Sequence, residues 1–238
     1  MKPFSALLFL LFSLFSFAQK QYDFDYLIEY ELTLYKDSLK IKNRPFRKKD
    51  EIIKKYYLTN SKKNNFIAEV TELDSVNYKM IFRDRNGIYS NVSFLKSEFN
   101  KAEFINIECE NVIKHINPYK YQIKNYNFSI LTDTIINDKS YSRYMLASTK
   151  PKKIKRKKLG TQIYIIDKET QFHSPILNFS TAYEEWKSNK ILPNGIFYEK
   201  YFIDYNKTLD SKFKLIGFWK IDEKIIIQDE CDYTKKEI

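Results

Sequence analysis

The sequence predicts a mainly β protein built on an antiparallel sheet. Aromatic residues, which favour strands, make up 17% of the 238 residues, with 19 Tyr and 19 Phe. Residues 24–34 alternate apolar and polar side chains with the period of a strand. Turn signals recur between short apolar runs, without the regularly alternating helices that accompany a parallel sheet. Four Gly and six Pro are too few for a fibrous or disordered chain.

The first 18 residues have the layout of a secretory signal peptide. Lys2 precedes an apolar run of 14 residues, Phe4 to Phe17, and Ser16-Phe17-Ala18 offers a small-x-small cleavage site. A membrane-spanning helix needs about 20 residues, so we favour a signal peptide over an anchor. No Cys follows that would accept a lipid. We expect cleavage near Ala18-Gln19, a periplasmic or secreted location, and one β-rich domain over residues 19–238.

The first half of this domain reads as strands joined by short turns. In residues 24–34 every even position is apolar or aromatic, which predicts a long strand with one buried face. Residues 36–55 are basic and lack periodicity, so we expect a loop. Asn86-Gly87 lies between the strand-like runs 78–84 and 88–94, a strong signal for a tight hairpin.

The second half predicts two further hairpins and one helix. Turn residues at 137–140 and at 168–170 each separate two apolar runs. The run that follows the turn at 168–170 is residues 172–177. Residues 180–187 predict the helix, with Ser180 or Thr181 as its cap. Three closing strands are expected, at residues 196–205, 213–221 and 224–229.

Residues 150–158 carry seven cations in nine positions and predict a loop between two strands. One interpretation is a solvated loop, and the other is a patch that contacts anionic lipid headgroups. Nucleic acid is not expected, because no aromatic side chain interleaves with the charge. The net charge of +11 fits a Lys-rich composition and relates first to solubility. The contact residues for an anionic surface would be Lys152, Lys153, Lys155, Arg156, Lys157 and Lys158.

The two cysteines, Cys109 and Cys231, favour a disulfide over a nucleophile. Export places them in an oxidising compartment, and each has acidic neighbours that would raise a thiol pKa. Whether the two pair depends on geometry that the sequence does not give.

No motif in the sequence predicts catalysis, a metal site or a cofactor. His115 and His173 lack partners at metal-binding or triad spacing, and with four glycines the chain has no phosphate-binding loop. The aromatic side chains of the first strand permit two interpretations, ordinary core packing or the lining of an apolar groove. In the second, the ligand-binding residues would be Phe24, Tyr26, Ile28 and Tyr30.

Three stretches resemble two groups of exported bacterial proteins. Residues 24–34, 134–144 and 164–168 are similar in order to the LolA/LolB-like periplasmic half-barrels and to the GLPGLI family of Bacteroidetes secreted proteins. Residues 192–196, LPNGI, are faintly similar to the GLPGLI signature. The resemblance implies an antiparallel sheet curved into an incomplete barrel around one or two short helices, and binding of an acyl chain. It implies no catalytic residue.

We therefore expect an exported, non-enzymatic bacterial envelope protein that binds a lipid or another apolar ligand in the concave face of its sheet. The alternative is a secreted hydrolase that acts on a polymer through carboxylates the sequence does not identify. A cavity in the sheet would favour the first function, and a cleft holding two close carboxyl groups the second. Ligand identity and oligomeric state stay open.

Overall fold

The computed structural model describes residues 19–37, 46–99, 103–117 and 119–235. The expected signal peptide, residues 1–18, lies outside the described residues. The strands, numbered in chain order, are β1 (Lys20–Leu34), β2 (Glu51–Thr59), β3 (Phe66–Glu72), β4 (Asn77–Asp84), β5 (Ile88–Leu95), β6 (Phe104–Ile107), β7 (Val112–Lys114), β8 (Tyr126–Ile136), β9 (Lys139–Ser148), β10 (Thr161–Asp167), β11 (Phe197–Ile203) and β12 (Leu209–Ile227). The helices are α1 (Lys96–Phe99), α2 (Pro151–Lys157) and α3 (Ser180–Asn189).

All twelve strands belong to one sheet that stays open. Its order is β7-β5-β4-β3-β2-β1-β12-β11-β10-β9-β8, with every neighbour antiparallel, and β6 lies parallel to one end of β12. Over the described residues, the end strands β7 and β8 do not pair with each other. The predicted mainly β fold, an incomplete antiparallel barrel with short helices, is confirmed.

Strand β1 lies at the centre of the sheet, between β2 and β12, and supplies residues to two cores. Its even-numbered side chains from Tyr22 to Leu32 are at most 8% exposed. Those from Tyr26 onward belong to the helix-side core, which also contains Tyr183 of α3. Tyr22 and Phe24 belong instead to the hairpin-side core, formed with the β2–β5 meander, and both contact Phe66 edge-to-face. The predicted alternation is therefore present, but its buried stripe is divided between two cores.

Two of the three predicted hairpin turns, at residues 86–87 and 137–140, are present. Asp84 pairs with Ile88 around Asn86-Gly87, and Gly87 has a φ of 152° that favours glycine. A Cβ there would also lie 2.5 Å from the carbonyl oxygen of Tyr233, so the C-terminal segment requires glycine at this turn. In the second turn, Asn137 and Asp138 have φ values of 50° and 62°, as a two-residue hairpin needs.

Four local predictions differ from the structure. The expected loop 36–55, whose residues 38–45 lie outside the described residues, includes the start of β2. The expected strand 213–221 and residues 224–227 of the expected strand 224–229 belong to one strand, β12, which continues through a register shift. The basic run 150–158 forms helix α2, because Pro151 fits a first helical turn and Lys158, with φ 48°, ends it.

The fourth difference is residues 172–177, which are not a strand. This segment bonds to other loops instead of a strand: Ser174 N–H donates to Ser61, and the His173 carbonyl accepts from Gly195. Its apolar residues Ile176 and Leu177 are buried in the helix-side core. The predicted helix is confirmed as α3, and no helix within the described ranges is long and apolar enough to span a membrane.

Candidate ligand-binding groove

Helix α3 covers part of the concave face of the sheet. Its Ala182 and Tyr183 are buried in the helix-side core with Tyr30 and Phe197. Its Glu185 is fully buried and accepts a hydrogen bond of 3.0 Å from the N–H of Phe128 on the edge strand β8. The helix therefore both fills the concave face and occupies a backbone donor of an edge strand.

A cavity of about 410 Å³ lies between the start of α3 and strands β8 to β12. Leu146, Phe202 and Phe213 reach it from the sheet, and Phe179 reaches it from the chain just before α3. The lining is predominantly aromatic and aliphatic, and its other members are Tyr119, Tyr126, Gly160, Gln162, Ser180, Thr181, Asp210 and Ser211. A cavity of this size and lining suits an apolar ligand.

Gly160 lets two backbones approach at the edge of this cavity. A Cβ at Gly160 would lie 2.3 Å from the Ile203 carbonyl oxygen and 2.4 Å from the Phe202 ring. A side chain at this position would displace the ring that forms part of the cavity wall.

The cationic helix α2 lies next to the same cavity. It ends at Lys157, three residues before Gly160, and Lys153 Nζ lies 5.8 Å from the ring centre of Tyr126. The side chains of Lys152, Lys155, Arg156, Lys157 and Lys158 are exposed, whereas Lys153 is half-buried. The structure thus places the cationic run next to an apolar cavity, although the β1 residues expected to form the groove do not line this cavity.

Lys200, a residue that sequence reasoning missed, is fully buried on the same concave face. Its Nζ donates to Asn178 Oδ1 at 2.8 Å and lies 4.2, 4.6 and 5.3 Å from the ring centres of Phe213, Phe197 and Phe179. Burial lowers the pKa of Lys200 to about 7, with Glu69 acting in the opposite direction. Only its place among the apolar residues of 196–203 could have signalled burial.

The four residues predicted to bind a ligand lie elsewhere on the sheet. Phe24, Ile28 and Tyr30 are packed against other side chains, with exposures of 1%, 0% and 0%. Tyr26 lines a second, more polar cavity of about 720 Å³. There it contacts the half-exposed rings of Phe172 and Phe218, with centroids 5.4 and 6.2 Å away.

Each described cavity is lined by at most one carboxylate. Asp210 pairs with Arg47 at 2.7 Å, and Asp25 accepts hydrogen bonds from the backbone and hydroxyl of Ser61. Glu98 is the carboxylate of a third cavity. These four cavities therefore do not bring together the two carboxyl groups that the hydrolase alternative requires.

The two histidines make packing and hydrogen-bonding contacts within the fold, and the two cysteines form a disulfide. His173 is buried between Thr59 Oγ1, 2.9 Å from Nε2, and the Ser174 carbonyl, and burial lowers its pKa. His115 stacks on Tyr89. Among the described residues, no three His, Cys, Asp or Glu side chains are grouped to hold a metal. Cys109 and Cys231 are joined by a disulfide, with Cα atoms 5.5 Å apart.

No protein-family model and no curated protein matches the chain, whereas several solved structures do. The MucA/MucB complex of Pseudomonas aeruginosa matches with a TM-score of 0.40 at 4% identity, over 83% of this chain and 52% of that one. A LolA superfamily protein from Nitrosomonas europaea matches with a TM-score of 0.32 at 10% identity, over 90% of this chain and 91% of that one.

The chain resembles LolA superfamily structures. It spans about half the length of the MucB structures that it matches. The features of this chain that bear on function are the cavity, helix α2 and Lys200.

Proposed function

We propose that the protein is an exported, non-enzymatic bacterial envelope protein that holds a lipid or another apolar ligand in the concave face of its sheet. The observation that carries this proposal is the cavity of about 410 Å³ between α3 and strands β8 to β12. Binding sites for small molecules are commonly cavities of about 300–1,000 Å³ with apolar walls. Burial of an acyl chain against Leu146, Phe202 and Phe213 would contribute about 0.8 kcal/mol for each methylene.

The cations of α2 would contact the anionic surface from which such a ligand is taken. Basic side chains beside a membrane surface are worth about 1 kcal/mol each. The contacting residues would be Lys152, Lys153, Lys155, Arg156, Lys157 and Lys158. Phe24, Ile28 and Tyr30 would support the sheet from within the cores, and Tyr26 would bind ligand in the second cavity.

Filling the cavity tests the binding site. Ser211 is half-buried on β12 and lines the cavity, so Ser211→Trp places a ring where the ligand would lie. We expect the concentration of dodecanol that displaces half of the bound probe N-phenylnaphthylamine to rise at least tenfold. Keeping two methylenes of the ligand out of the cavity already costs about 1.6 kcal/mol of binding free energy.

The matched control for this test is Ser129→Trp. Ser129 is also half-buried, on β8, and does not line the cavity. Wild-type protein that binds neither probe nor dodecanol would contradict the proposed function. Equal effects of both substitutions would contradict this location for the site.

Export is tested separately. When the full chain is produced in a bacterial host, we expect the periplasmic fraction to contain a product whose first residue is Gln19. Unprocessed protein confined to the cytoplasm would contradict the export part of the proposal. Native mass spectrometry of the same fraction would show a co-purified lipid if one is held in the cavity.

A further inference from the structure

Lys200 lies on the same face of the sheet as the residues that line the cavity, next to them along β11. On β11 it pairs with Tyr164 of β10 and Phe213 of β12. Two residues on, Phe202 points to the same face, and its partners Gln162 and Ser211 line the cavity with it. Lys200 therefore lies just inside the cavity wall, on the side towards the core.

Aromatic rings that line the cavity also contact the ammonium group of Lys200. Phe213 and Phe179 both contact the ammonium and both line the cavity. Phe179 is 50% exposed and lies outside the helix, so its ring can turn without leaving a core. Such a movement would connect the cavity with Nζ of Lys200.

The surroundings of Lys200 leave its charge under-compensated. An ammonium carries three donors, and within the part of the chain that the structure describes its one hydrogen bond goes to the neutral side chain of Asn178. Asn178 in turn donates to the Tyr57 hydroxyl at 3.1 Å, and burial raises the pKa of Tyr57, which keeps that neighbour neutral. Glu69, the acidic group that acts on Lys200, is already bonded to Lys55 at 2.7 Å.

The start of α3 adds a second feature that favours an anion at the inner part of the cavity. Ser180 and Thr181 line the cavity, and the N-cap residue Phe179 makes no side-chain capping hydrogen bond. The guanidinium of Arg85 donates to Ser180 Oγ at 3.2 Å, which adds a cation at this end of the helix. The N–H groups of the first turn and the positive end of the helix dipole therefore belong to the end of α3 that lines the cavity. Asp210 is the carboxylate in the lining, and its pairing with Arg47 offsets its charge.

We propose that the ligand of this cavity is a long-chain carboxylate whose head enters first and pairs with the Lys200 ammonium once the Phe179 ring has turned aside. This inference rests on the proposed function and names its ligand class. Inside the cavity the pair is shielded from water, where a charged hydrogen bond is stronger than at the exposed cations of α2. The acyl tail then lies along Phe202 and Leu146 towards the outside.

The test compares dodecanoate with dodecanol, which have the same tail and differ in the head. We expect wild-type protein to bind dodecanoate about tenfold more tightly, the effect of one charge-assisted hydrogen bond. Lys200→Met should remove this preference while dodecanol still binds. The triple substitution Lys155→Gln, Arg156→Gln and Lys157→Gln tests whether the head pairs instead with the exposed cations of α2. The control is Lys48→Gln with Lys49→Gln, at exposed lysines that do not line the cavity, and it should leave the preference intact.

Two outcomes would overturn the inference without overturning the proposed function. Equal affinity of wild-type protein for both ligands would show that the head is not recognised. Loss of the preference in the α2 triple variant, but not in Lys200→Met, would place the head at the outside. Failure of both ligands to bind would instead refute the proposed function.

A wild-type measurement keeps the inference testable if Lys200→Met does not fold. The preference for dodecanoate should be larger near about pH 6 than near about pH 9, because the lysine, with its pKa of about 7, must take up a proton to pair at the higher pH. Glu69 and Lys55 face Lys200 and form their own ion pair.

Carbon NMR of carboxyl-labelled dodecanoate provides a second measurement. The chemical shift of the bound carboxyl carbon should show that the group stays ionised at pH values below the usual pKa of the free acid. A pH-independent preference with an ordinary carboxyl titration would overturn the inference.

Discussion

Lys200 places a cation inside a sheet face that is otherwise largely aromatic. The rings of Phe213, Phe197 and Phe179 partly replace the lost hydration, since a ring face attracts a cation. They do not replace it fully, and the pKa of Lys200 therefore lies near 7 in place of 10.5. A buried charge of this kind destabilises the folded state unless it is compensated.

The shifted pKa of Lys200 predicts how stability depends on pH. Between about pH 7 and 10.5 the unfolded chain binds more protons at this residue than the folded chain does. The free energy of unfolding should therefore rise with pH in this window, by up to about 1.4 kcal/mol per pH unit. Urea unfolding near about pH 7, 8 and 9 measures the slope.

The slope should be absent in Lys200→Met, which removes the titrating group and keeps the side-chain volume similar. The control is Lys157→Met, an exposed lysine of α2, which should keep the wild-type slope. A slope in Lys200→Met that equals the wild type would mean that other groups cause the pH dependence.

At the scale of elements, α2 turns a predicted loop into an ordered cationic surface. Its two turns are short for an isolated helix, so attachment to the strands β9 and β10 at each end holds it in place. The exposed cations lie beside the cavity that contains Tyr126 and Gly160. This arrangement predicts an electrostatic contact with anionic surfaces.

Vesicle binding checks the role of α2. Wild-type protein should sediment with phosphatidylglycerol vesicles and much less with phosphatidylcholine vesicles, and added salt should weaken the binding. Replacing Lys155, Arg156 and Lys157 by Gln should reduce binding at least tenfold, since each cation is worth about 1 kcal/mol. The same replacement at three exposed lysines elsewhere, Lys48, Lys49 and Lys63, should have a smaller effect. Equal losses would indicate that net charge alone matters.

At the scale of the whole molecule, the disulfide joins distant parts of the chain. Cys109 and Cys231 are 122 residues apart in sequence, and Cys231 is buried in the hairpin-side core. Cys231 lies in the segment that reaches the Gly87 turn through Tyr233. The bond therefore fixes the C-terminal segment to the short segment between β6 and β7, and β7 in turn pairs with β5 of the meander.

Replacing both cysteines by serine should lower the free energy of unfolding by about 2–5 kcal/mol, since the bond closes a long loop in the unfolded chain. Urea unfolding of the double variant measures this. Wild-type protein in reducing buffer provides the comparison, because it loses the bond without a new side chain. Unchanged stability in both would show that the bond does not constrain the unfolded chain.

Local signals explain how much of the fold could be predicted. The alternation in β1, the Asn-Gly turn at residue 87 and the helix at residues 180–189 depend on neighbours in sequence, and all three are present. The segment 172–177 has the apolar content of a strand but lies among loops, with its carbonyl at His173 bonded to Gly195. Its conformation depends on distant partners, so composition gave the wrong prediction.

The candidate site was predictable only in part. The composition of residues 150–158 predicts the cationic run, whereas nothing in the sequence places a cavity beside it. The alternation of apolar and polar residues predicts a groove on β1, where the most regular aromatic stripe lies. Regular burial marks the centre of the sheet, whereas the cavity opens near β8 to β12, whose alternation is weaker.

The sequence by itself determined the strand-rich composition, the hairpin turns, helix α3 and the cationic run, because short-range sterics and side-chain period decide them. The tertiary structure decided which residues share a core, where the cavity lies and that Lys200 is buried beside it. Those features depend on pairings such as β1 with β12, whose residues lie about two hundred positions apart in the chain. A lysine in a strand can face water or a core, and only the fold determines which.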